Sequence, residues 1–225
     1  MLESNVADDT SSNPKQSSGA PYRRGSLARQ KRLVFTRGAS RVTLEAMPFD
    51  GETIDADFEG HDARLTETPS EVRIGYVGSW WSWAYDALLG GPTELPHSTL
   101  RLSDEHLWSV ECRGGVSDLD AHLEDLPVAS FLVRGGASNV YLSLGRPSGV
   151  VPIRIRGGVS RLELLRPLGV GVRLSVRGGI GRLTFDAMTL EAVGGGLDLA
   201  SRTGAEDADR YEIEIGGGVS DLTIA

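Results

Sequence analysis

The chain has 225 residues, 40% of them hydrophobic and only 6% aromatic, and a formal net charge of -8. That length supports one substantial core or an elongated repeat domain, and the acidic balance speaks against nucleic acid as a partner. A single cysteine, Cys112, excludes an internal disulfide framework, and no run approaches the roughly 18 apolar residues of a membrane-crossing helix.

Residues 1–31 read as a disordered basic leader. They are rich in Ser, Asn and Asp and poor in branched apolar side chains. From Thr10 to Leu44 there is no acidic residue but there are eight basic ones. No apolar signal segment is visible, so a cytoplasmic location is expected. The basic leader is expected to make peripheral contact with an anionic membrane surface.

The folded part is expected over 32–225. It opens with RLVFTRGASRVTLEA (Arg32–Ala46), two apolar-alternating runs around a glycine. The same pattern returns in SVECRGGVSDLDAHL, SFLVRGGASNVYLSL, IRIRGGVSRLELL, LSVRGGIGRLTFDA and IEIGGGVSDLTIA. The glycine pairs begin at Gly114, Gly135, Gly157, Gly178 and Gly217, in steps of 21, 22, 21 and 39 residues. Each copy reads strand, Gly-Gly, strand, with alternate residues on one face. Pro and Gly fill the connectors, as corners require. A near-constant period predicts an all-β protein, a single parallel β-solenoid with about 21-residue coils.

Aligned copies give two apolar columns. One is Phe35, Cys112, Val133, Ile155, Val176 and Ile215; the other is Val42, Leu119, Val140, Leu162, Leu183 and Leu222. Both are expected inside, which makes Cys112 a small buried hydrophobe. A serine column (Ser40, Ser117, Ser138, Ser160 and Ser220, with Gly181 in one copy) is expected to brace the corners through hydroxyl-to-backbone bonds. An arginine column (Arg113, Arg134, Arg156 and Arg177) would form a file about 5 Å apart if consecutive coils stack. Acidic neighbours or an external anion would have to neutralise that file, so these four are candidate interaction residues.

One stretch interrupts the pattern. The segment 78–97 carries Trp80, Trp81, Trp83 and Tyr85. It reads either as a lid over an open end of the core or as an exposed loop for a partner. The last motif, Gly217–Ala225, would leave an unguarded strand edge in a simple stack, which favours self-association.

Catalytic and metal chemistry finds little footing. The calcium-binding glycine repeat has a period of nine and needs a carboxylate where this chain has Leu or Val. The phosphate loop needs a glycine-linked lysine before a helix, and both lysines, Lys15 and Lys31, lie outside the glycine motifs. None of the four histidines has zinc-site spacing. No cofactor, metal or catalytic residue is assigned, and no enzyme activity is expected.

The stretch SGVVPIRIRGGVSRLELLRPLGVGVRLSVRGGIGRLTFD resembles the bacterial "putative adhesin" domains and the related toastrack-type domains of envelope-stress membrane proteins. The resemblance covers roughly Arg32–Ala225. It implies a β-solenoid of largely unknown function. The expected role is a non-enzymatic scaffold or interaction module, linked to envelope stress or surface association, with a protein partner or a second copy. A self-assembling, bactofilin-like cytoskeletal solenoid and a carbohydrate-active β-helix enzyme stand as alternatives.

Overall fold

The computed structural model describes residues 29–59, 62–77 and 97–225. The leader up to residue 28 and the aromatic residues Trp80, Trp81, Trp83 and Tyr85 lie outside the described residues. Among the described residues there is no helix. Gln30–Phe35 (β1) and Ala39–Met47 (β2) precede Ile54–Glu59 (β3), Asp62–Glu67 (β4), Glu71–Val77 (β5) and His97–Ser103 (β6). A regular run follows: Leu107–Cys112 (β7), Val116–Leu123 (β8), Val128–Val133 (β9), Ala137–Leu144 (β10), Val150–Ile155 (β11), Val159–Leu165 (β12), Gly171–Val176 (β13) and Ile180–Phe185 (β14). Met188–Val193 (β15) and Leu197–Ala200 (β16) come before the final pair, Arg210–Ile215 (β17) and Val219–Ile224 (β18).

These strands form two sheets of nine. The first has the order β16-β13-β17-β11-β9-β7-β1-β5-β4, the second β15-β14-β18-β12-β10-β8-β2-β6-β3. Each strand–glycine–strand unit places one arm in each sheet. The chain therefore crosses to the other sheet and returns before it pairs, which makes neighbouring arms parallel. The rim strands differ. β3, β4, β15 and β16 pair antiparallel with β6, β5, β14 and β13.

All-β is correct, but the single parallel solenoid is not. Both sheets are mixed, and the strand pairs do not stack in chain order. β17 lies between β11 and β13, with six register pairs on each side. β18 lies likewise between β12 and β14. β1 and β2 are also interior, flanked by β5 and β7 and by β6 and β8. The motif expected at an open edge, Gly217–Ala225, is thus paired on both sides. The error has a physical source. Every strand–glycine–strand unit presents the same apolar column, so the pattern says which residues face inward and not which unit lies beside which.

The core fills the space between the sheets. Both apolar columns face it, and none of their members is more than 2% exposed. The columns also stay in register: Cys112 pairs with Val133, Val133 with Ile155, and Ile155 with Ile215. Burial pushes the Cys112 thiol up to about 12, so it behaves as a hydrophobe.

The glycine corners stack as closely as the strands. A Cβ on Gly157 would lie 1.9 Å from the carbonyl oxygen of Gly135, and one on Gly178 would lie 1.9 Å from that of Gly217. Close backbone approach is what demands the first glycine of each pair. The second has room: a Cβ on Gly158 meets nothing within 4 Å, and one on Gly115 or Gly136 makes only ordinary contact. Ser117, Ser138, Ser160 and Ser220 do not brace these corners. Their hydroxyls face solvent and make no hydrogen bond among the described residues.

β1 begins two residues inside the expected leader. Lys31 alternates with Leu33 and Phe35, and so points inward. Its Nζ meets Glu67 Oε1 of rim strand β4 at 2.5 Å, which gives the buried charge a partner.

Candidate functional site

The outward faces of the two sheets are built from the alternate residues of each strand. On the first sheet, charge is largely neutralised in place. Arg113 Nε and Arg134 Nε lie 3.0 and 2.8 Å from Glu111 Oε1. The hydrogen bond from Arg113 holds the Glu111 carboxyl below the usual carboxylate range; burial opposes this, and the charges of Arg113, Arg134 and Arg32 add to it. Arg154 and Arg177 share Glu214 at 3.4 and 3.6 Å, and Arg210 holds Glu212 at 2.6 Å.

This places the arginine column. Arg113, Arg134 and Arg156 follow neighbouring strands β7, β9 and β11 at the corner between the sheets. Arg177 follows β13, and β17 with Gly216 stands between it and Arg156. The expected file of four is therefore three and one. Arg113 and Arg134 are tied to one carboxylate, and Arg156 has no ion pair among the described residues.

The second sheet differs. One outward row reads, across adjacent strands, His97, Arg41, Asp118, Asn139, Arg161 and Asp221. The row above it holds Thr43, Asp120, Tyr141 and Glu163. All of these but Asp221 line a shallow groove of about 320 Å³. Four arginines lie on the strands of this sheet. Arg101 pairs with Asp55 at 2.8 Å, and Arg182 with Asp221 at 3.5 Å. Arg41 and Arg161, the two that flank the groove, have no ion pair among the described residues. Glu163 is free in the same sense.

The remaining groove carboxylates are engaged. Asn139 Nδ2 donates to Asp118 Oδ1 at 2.6 Å, and Asp120 lies 3.2 Å from His122 Nε2. His97 Nε2 sits 3.1 Å from the Thr99 hydroxyl and 3.5 Å from that of Thr43. Tyr141 stands half-exposed, its ring 6.0 Å from that of His122 at 57°. Its hydroxyl has no protein partner among the described residues.

None of these groove residues was singled out from the sequence. A signal was present: alternation around Val140 and Leu142 points Tyr141 outward. It is the one Phe, Trp or Tyr with that orientation in the described part of the second sheet. The free arginines could not be read, because pairing depends on which strands are neighbours.

Among the described residues no group of three or more His, Cys, Asp and Glu side chains could hold a metal ion. No helix among them is long and apolar enough to cross a membrane. No family model matches the chain, and no curated protein does. Among solved structures, the fold is similar to that of a "putative cell adhesion protein" from Clostridium sporogenes. The TM-score is 0.64 at 17% identity, covering 88% of this chain and 92% of that one. At that identity the likeness concerns the fold alone.

Proposed function

We propose that the protein is a non-enzymatic interaction module that works at a surface and engages its partner through the outer face of the second sheet. One observation carries this reading. The unpaired Arg41, Arg161 and Glu163 line one groove with a half-buried aromatic side chain, Tyr141, while Arg101 and Arg182 on the same face are neutralised. Free hydrogen-bonding groups beside an outward-facing, half-buried ring are the chemistry of a contact site. The cell-adhesion name of the structural neighbour agrees with a surface role.

Retention on bacterial envelope preparations tests this. Wild-type protein is compared with a Tyr141→Ala/Arg161→Ala variant and with Arg154→Ala on the opposite face. Retention lost only in the first variant is the expected result. No retention of wild type, or equal loss in both variants, removes the reading.

A further inference from the structure

We propose that the groove on the second sheet binds a neutral, linear glycan chain. This rests on the reading of that face as the contact face and names what it contacts.

The first ground is the ring. Tyr141 lines the groove as an outward-facing, half-buried aromatic side chain, on a strand held by β8 and β12. The C–H face of a pyranose stacks on such a ring, because the ring face carries negative charge and the C–H groups are weakly positive. A strand position holds the ring with little loss of freedom on binding.

The second ground is the polar set. Arg161 and Glu163 flank Tyr141 from the next strand, and Asn139 and Asp118 lie in the row below. Guanidinium, carboxylate and carboxamide are planar groups with two donors or acceptors side by side. They match the paired hydroxyls on adjacent carbons of a sugar. Arg41 and Arg161 are three strand spacings apart, roughly 14 Å, so the polar set spans more than one sugar ring.

The third ground is charge. The groove holds Arg41 and Arg161 against Asp118, Asp120 and Glu163, which leaves it near neutrality and slightly acidic. The whole chain is also acidic, at -8. A uronate polymer or a nucleic acid would be repelled, and an uncharged hydroxyl-rich chain would not. The surface is open rather than enclosed, so it fits a chain lying along it and not a buried small molecule.

The test is an array of neutral linear oligosaccharides, including cello- and chito-oligosaccharides, with polygalacturonate and single-stranded DNA as charged controls. Hits are followed by calorimetry on the full chain. Wild type is expected to bind at least one neutral glycan, and added salt is expected to leave the affinity unchanged. Tyr141→Ala is expected to lower affinity by about tenfold or more, the scale of one lost stacking contact, while Tyr141→Phe keeps it within about twofold. Arg161→Ala gives a second, independent loss, and thermal melts check that each variant is folded. Absence of any neutral hit, an unchanged Tyr141→Ala affinity, or salt-sensitive binding to polygalacturonate in its place overturns the proposal. Envelope retention separates the two levels. If it needs Tyr141 and Arg161 but no glycan binds, the glycan assignment fails and the contact face stands. If it is indifferent to both residues, both fail.

Discussion

The middle of the two-sheet stack and its rims are made differently. In the middle, β17 and β18 are bonded on both sides and bury Tyr211, Ile213, Ile215, Val219, Leu222 and Ile224. At the rims, β3, β4, β15 and β16 are bonded on one side, run antiparallel, and pack only partly buried residues such as Leu65, Leu190 and Leu199 against the core. The rims also carry Asp55, Asp57, Glu59, Glu67, Glu191 and Asp198, charges that discourage another strand from adding to an open edge. The lesson concerns placement. The last strand pair of the sequence is interior, third from one edge of each sheet, and the rims are built from residues 54–67 and 188–200.

Removing residues 210–225 is the harshest way to break that comparison. Each of the six buried side chains is worth roughly 1.5–3 kcal/mol, against a total stability of about 5–15 kcal/mol. The truncated chain is expected to lose its cooperative thermal transition by circular dichroism. A synthetic peptide of residues 210–225 is expected to restore it. A truncated chain that melts like wild type would mean that the pair is peripheral.

Single side chains sharpen the contrast. Leu162→Ala, in the middle, is expected to cost about 2–5 kcal/mol by denaturant unfolding. Leu199→Ala at the rim is expected to cost about 1 kcal/mol, because part of the side chain already meets water. Equal costs would erase the distinction.

The glycine corners supply a smaller test. Gly157→Ala pushes a methyl into the Gly135 carbonyl and is expected to cost about 1–3 kcal/mol. Gly158→Ala meets nothing within 4 Å, and about 0.5 kcal/mol or less is expected. The smallest effect is in acid. Glu111 is held below its ordinary value when folded, so it binds a proton more readily when unfolded. Its contribution is present above the unfolded carboxylate value and is lost as pH falls through the folded one. Glu111→Gln is therefore expected to flatten the loss of stability on acidification. An unchanged acid limb in urea titrations would contradict the Arg113–Glu111–Arg134 cluster.

Local physics was legible in the residues. Alternation on either side of each glycine pair gives strands and their inward faces, because side chains on a strand must point to opposite sides. Cys112 could be read as buried for the same reason. Close backbone contact at Gly114, Gly135, Gly157, Gly178 and Gly217 explains why the motif keeps its first glycine. The antiparallel rims and the stacking order could not be read, and with them went the single solenoid, the unbroken arginine file and the open C-terminal edge.

By itself, then, the sequence determined an all-β chain of strand–glycine–strand units, with Phe35, Val133 and Leu162 facing one core. Only the tertiary structure decided which unit lies beside which. Every unit offers a neighbour the same apolar column and the same backbone groups, so local pattern cannot choose among partners. That choice leaves Arg41 and Arg161 free while Arg182 meets Asp221, and it sets Tyr141 at the centre of a groove.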